Sequence, residues 1–260
     1  FDNAQAVAQE AGLELPFDTD DAKRDSTRAV LAFLAQDAPA DDAALLALDG
    51  SIGDAAVAYG RAQGLVEIPG AYQVDIVETP EVLRSSLFAA YNPAPPFKPG
   101  AIGAFYVTPT GDDPAQLARN SASAIAAVAV HEGFPGHDWH YRTMNAHVAE
   151  ISNIRWLPVG AVQDMSSMWS DSMGPEGWAH YAEQLMSEPV EGRPFGFYTQ
   201  ATYMSFLTQA LMRAARVRVD IGLHTGWMSY DEAVDYMAAH YGLYPDARAM
   251  AETDPDAQAV

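Results

Sequence analysis

Apolar residues recur at helical spacing over most of the chain, and polar–apolar alternation is confined to short stretches. The alanine-rich segments 3–12, 21–36, 41–48 and 54–63 read as helices, with Asp and Ser at starts and Gly near ends. Residues 71–78, AYQVDIVE, alternate as a half-buried strand does, and 101–108, AIGAFYVT, form a second strand candidate. The two are placed to pair as a small sheet beside the helices. Between them, YNPAPPFKPG (91–100) carries four prolines and predicts an extended loop. Asp113-Pro114 reads as an N-cap followed by proline at the first helical position, opening a helix that runs through Ala129 toward His131. Its segment IAAVAV is apolar on every face, so deep burial is expected. Further helices are expected from Pro175, from Phe197 to about Gly222, and over 230–241 with Ser229 and Glu232 as a capping box. The fold class is therefore mainly α with a small β-sheet. By pattern and motif the chain divides into a helical region, 1–65, a metal-site region, 66–245, and a polar tail, 246–260, expected to fray.

Composition narrows the partners. The 260 residues suffice for one large domain or two small ones. The net charge is −21, from 35 acids against 14 Lys and Arg. That argues against nucleic acid and anionic membranes, which both demand positive charge. No apolar run reaches the roughly 18 residues that span a bilayer. There is no cysteine, so any metal must be held by His, Asp or Glu. An acidic, cysteine-free chain suits an exported protein, and a cytoplasmic one is the alternative.

The chemistry concentrates in HEGFPGHDWH, His131 to His140, directly after the apolar helix. Neutral imidazole is the commonest protein ligand for a catalytic metal, and the glutamate beside it, Glu132, is a candidate base for a metal-activated water. Paired zinc ligands on a helix usually sit at i and i+4. Here i+4 from His131 is Pro135, and His137 lies at i+6, about 240° round an unbroken helix. Pro135 removes a backbone donor and clashes with the carbonyl of residue 131, while Gly136 frees the backbone. A kink or bulge at this Pro-Gly step is expected to return His137 to the side of His131. His140 has three readings: a third ligand, a second donor behind the ligands, or a solvated ring. Asp138 reads as an orienting partner for an imidazole or as a surface acid or cap.

A second motif, GPEGWAHYAE from Gly174 to Glu183, supplies the carboxylate. Glu176, Ala179/His180 and Glu183 share one helix face. Glu176 sits near the N-terminus, where the helix dipole favours its charged form, as a ligand or as a stabilising first-turn acid. Glu183 is two turns on, placed to hydrogen-bond a ligating imidazole, and His180 is a rival ligand. Trp178 and Tyr181 read as packing residues, with the Tyr181 hydroxyl able to reach the site. Further on, Arg216 pairs with Asp220 at i, i+4, or clamps a substrate carboxylate. His224 near Gly222 and Gly226 is a helix cap or a donor to a developing oxyanion.

The succession HEGFPGH, EGWAHYAE and RVRVDIGLHTGW, with the Tyr91–Thr108 stretch before it, resembles the bacterial family called domain of unknown function 885. The resemblance runs from about Val77 to His240. It implies a multi-helix, gluzincin-like metallopeptidase architecture with Zn2+ held by His131, His137 and Glu176. Glu132 would be the general base, and His224 would contact the transition state. Arg216, with Tyr106 and Tyr181, would contact substrate. His140, Asp138 and Glu183 would support the ligands. The family usually has Leu where this chain has His180. Its members are longer and continue into a Pro-Gly-Gln and Tyr motif, so the chain is expected to be a fragment of a larger fold, with a companion polypeptide or a homodimer completing it. The expected substrate is a peptide or small amide. Two alternatives share the donors: a non-heme iron(II) oxygenase, whose two histidines and one carboxylate have the same composition, and a non-catalytic metal-binding fragment. The first is disfavoured by the helical fold.

Overall fold

The computed structural model describes residues 1–98, 100–152 and 173–240. The expected frayed tail lies outside them. The elements run α1 (Asp2–Glu10), α2 (Asp20–Leu34), α3 (Asp42–Gln63), β1 (Ile76–Glu78), β2 (Ala89–Asn92), β3 (Ala104–Val107), α4 (Pro114–Arg119), α5 (Ala122–Glu132), α6 (His137–Ala146), α7 (Met173–Met186), α8 (Gln200–Thr225) and α9 (Tyr230–His240). The fold is mainly helical with one three-stranded sheet, as the patterning implies. Among the described residues no helix is long and apolar enough to cross a membrane.

Internal contacts group the chain into two compact units: Phe1–Asp37 with the chain from Gln200 onward, and Ala38–Thr199. In the first, α1 packs on α2 and α8, and α8 on α9. Ala4, Val7, Ala8, Val30, Leu31 and Met204 form its core, with a smaller cluster of Val219, Met228 and Ala233. The α9 capping box forms: Glu232 accepts from the Ser229 amide and hydroxyl, both at 2.8 Å.

The second unit is built around α5, which packs on α3, α6, α7 and β2. Ile125, Ala126, Ala127, Ala129 and Val130 are all buried, as an all-apolar helix requires. The sheet order is β1-β3-β2. β1 pairs parallel with β3 (Val77 opposite Tyr106), and β2 pairs antiparallel (Tyr91 opposite Phe105).

Three local expectations are corrected. Segments 41–48 and 54–63 are one helix, because α3 continues through Gly50 and Gly53. A side chain at Gly53 would press within 3.2 Å of Ile76, so the small residue serves packing against β1. The helix begun at Pro114 does not reach His131: it stops at Asn120, and α5 restarts after Ser121. Residues 89–92 form β2, so strand pairing with β3 claims the start of the proline-rich loop.

Candidate metal centre

The geometry begins where α5 ends. His131 and Glu132 are its last two residues, and His137 is the first of α6. The intervening Gly-Phe-Pro-Gly is a turn with a cis Phe134-Pro135 bond, so the chain breaks into two helices rather than bending one. A Cβ at Gly136 would lie 1.9 Å from the His131 carbonyl oxygen, so only glycine fits this reversal. Phe134 is fully buried and anchors the turn in the core. Trp178 of α7 donates to the Pro135 carbonyl at 2.8 Å, tying the turn to the next element. The result brings the two imidazoles together, edge to face with centroids 4.7 Å apart.

Glu176, in the first turn of α7, meets both. His131 Nε2 lies 3.2 Å from Glu176 Oε2, and His137 Nε2 lies 3.4 Å from Oε1. Ligand atoms around a tetrahedral zinc with arms of 2.0–2.1 Å are about 3.3 Å apart, a spacing that these two nitrogen–oxygen contacts share. Behind them, Glu183 Oε1 accepts from His131 Nδ1 at 2.7 Å, fully buried. That bond fixes the His131 tautomer and leaves Nε2 for an ion. Among the described residues, the group whose donor atoms all lie within 4.8 Å of one another is His131, Glu176 and His180, and His137 stands outside it.

Burial works against charge on His131, yet the Glu176 and Glu183 carboxylates outweigh it and lift its pKa to about 9. Hydrogen bonds from His131 and His137 hold Glu176 far below the usual carboxylate range. Burial pushes Glu132 up, against the pull of both imidazoles and the Tyr91 amide. That amide, from β2, donates to Glu132 Oε2 at 2.8 Å. Imidazole nitrogens, carboxylate oxygens and no thiol make a donor set that fits a borderline divalent ion such as zinc.

Other expected residues fall differently. Asp138 is neither a surface acid nor an imidazole's partner. It is fully buried and accepts from the Tyr72 hydroxyl and from Arg142 Nε at 3.0 Å. Burial raises its pKa in spite of those donors. It braces α6 against the segment before β1. His140 is half-buried, and its buried Nδ1 has no hydrogen-bond partner among the described residues. Tyr106 is half-buried in the middle of β3, and Tyr181 is exposed beside Trp178. Arg216 and His224 belong to the other compact unit. Among the described residues Asp220 pairs with His224, Nδ1 to Oδ1 at 3.2 Å, rather than with Arg216, and its backbone carbonyl lies 2.9 Å from the same nitrogen, a contact of the kind a helix cap makes. Sequence reasoning missed Tyr141 and the Tyr91 amide. Tyr141 stacks on Tyr91 and lies near His137, and burial with the Glu176 charge raises its pKa. Its position, one turn after His137 on the same helix, was the available signal.

A helical protein with a histidine–glutamate centre at a helix break is the class that fold and site define. The chain belongs to the family described as bacterial protein of unknown function (DUF885), whose model matches residues 2–254. No curated protein matches it. Its fold is similar to a solved structure from Shewanella oneidensis, a candidate lipoprotein of unknown function. The TM-score is 0.70 at 17% identity, over 96% of this chain and 41% of that one. The chain thus spans less than half of that protein's length, and the likeness at this identity is one of fold.

Proposed function

We propose that the chain carries the centre of a zinc-dependent hydrolase acting on short peptides or small amides. The observation that carries this reading is the contact of Glu176 with both His131 and His137, at 3.2 and 3.4 Å, with Glu132 adjacent. Zinc in such a site polarises a carbonyl and lowers the pKa of a water to about 7. Glu132 takes the proton of the attacking water and passes it to the leaving amine. The Tyr91 amide holds one carboxylate oxygen and so orients the other. Glu183 keeps His131 in the ligating tautomer.

Export is part of the proposal. It is supported by the acidic, cysteine-free composition and by the candidate-lipoprotein description of the Shewanella oneidensis neighbour. Because that neighbour is longer, peptide turnover is proposed for the whole protein, with the remaining chain or a companion polypeptide completing the substrate site.

Glu132→Gln tests the assignment. The variant should bind zinc as the wild type does and lose hydrolysis of a peptide library by at least about a hundredfold. Undiminished turnover would remove Glu132 from the role of base.

A further inference from the structure

The geometry points to His180 as a fourth protein donor to the same ion, so that the resting centre is three imidazoles and one carboxylate. This rests on the metal-centre reading above. His131, Glu176 and His180 have donor atoms mutually within 4.8 Å. The His180 ring stands 4.8 Å from the His131 ring, nearly the 4.7 Å that separates His131 from His137.

The hydrogen bonding prepares His180 for this. Glu183 Oε1 faces two imidazoles, His131 Nδ1 at 2.7 Å and His180 Nδ1 at 3.2 Å. Both rings turn Nδ1 to the same carboxylate oxygen, which leaves Nε2 as the other donor atom of each ring. One buried carboxylate thereby orients two imidazoles. A carboxylate so deeply buried would be costly if it served nothing but helix packing.

Exposure separates the donors. The His131 and His137 side chains are 10% and 9% exposed, against 41% for His180. The first two are locked by the helix break, while His180 sits on the open side of α7. Four protein ligands close a zinc site, and a catalytic site keeps one position open. With an ion bound, His180 would therefore be the displaceable donor, the one able to give way to a substrate carbonyl or a water. This makes the centre self-capped and tightens its hold on the ion.

Cobalt(II) replaces zinc in such sites and reports its ligands. Proton NMR of the cobalt-loaded chain resolves one exchangeable, strongly shifted N–H signal for each ligating imidazole. Three such signals are expected in the wild type, from His131, His137 and His180, and two in His180→Leu, which preserves the helix and side-chain bulk. The variant's zinc affinity, measured by chelator competition, should fall about tenfold or more. Two signals in the wild type, unchanged in the variant, overturn His180 as a ligand and leave the His131–His137–Glu176 centre standing. No shifted signals in the wild type would overturn both. The wild-type count decides the matter even if the variant fails to fold.

Discussion

A side chain's environment decides its chemistry, and Asp49 shows this away from the metal centre. It sits inside α3, almost wholly buried, and desolvation lifts its carboxyl pKa to about 7. In the unfolded chain it titrates near its ordinary value of 3.8. Between these values the folded state holds a proton that the unfolded state has lost. This contribution to stability is therefore complete below about pH 4, declines as pH rises to about 7, and is flat above. Asp49→Asn should flatten that slope and raise stability at pH 8, by no more than about 4 kcal/mol. Urea unfolding of both proteins at pH 5 and pH 8 checks this, and an equal slope in the two would refute it. Such burial was not legible in the sequence, where Asp49 falls between two expected helices. The drawing together of His131, Glu132 and His137 was legible, because chemistry-bearing residues beside a Pro-Gly step form a pattern that local packing does not imitate, and Glu176 came from a separate motif at a helix start. Asp138 was misread, since its partners Tyr72 and Arg142 are joined to it only by the tertiary fold.

At the scale of elements, helix caps and breaks position the site. Asp113 caps α4, accepting from the Gln116 amide at 2.9 Å, and its Asp-Pro signature was readable. The break between α4 and α5 was not, because an apolar run looks the same on either side of a restart. The continuity of α3 was hidden by its glycines, which pattern reading takes as stops and packing uses as points of close approach. Strand β2 was obscured by the prolines that follow it. Asp42 is the clearest joint between elements. In the first turn of α3, its carboxylate accepts from the Thr110 amide and hydroxyl, both at 2.7 Å, and from the Gly111 amide at 2.8 Å. The Asp42 amide in turn donates to the Asp112 carboxylate at 2.9 Å. These donors outweigh desolvation and hold its pKa low. Asp42→Ala should cost about 1–3 kcal/mol, and faster amide hydrogen exchange at 110–112 should accompany it. Unaltered exchange there would mean that the joint is not held by this carboxylate.

Across the whole molecule, three of the centre's four principal residues sit at the junction of α5 and α6 and the fourth opens α7. All lie in the compact unit Ala38–Thr199. That unit gathers buried carboxylates around imidazoles, with the excess negative charge that a divalent cation would balance. Folding and metal binding are then linked: zinc at a hundred times its dissociation constant would stabilise the chain by about 2.7 kcal/mol. The two alternatives named from sequence, oxygenase and non-catalytic fragment, also require an ion, so metal content bears on every reading. The most direct test is elemental analysis of the protein purified without added metal, beside His131→Ala. About one zinc per chain, lost in the variant, is the expected result for a closed His/Glu site. A wild type that holds no zinc even after zinc is offered would contradict the metal centre, and with it the hydrolase.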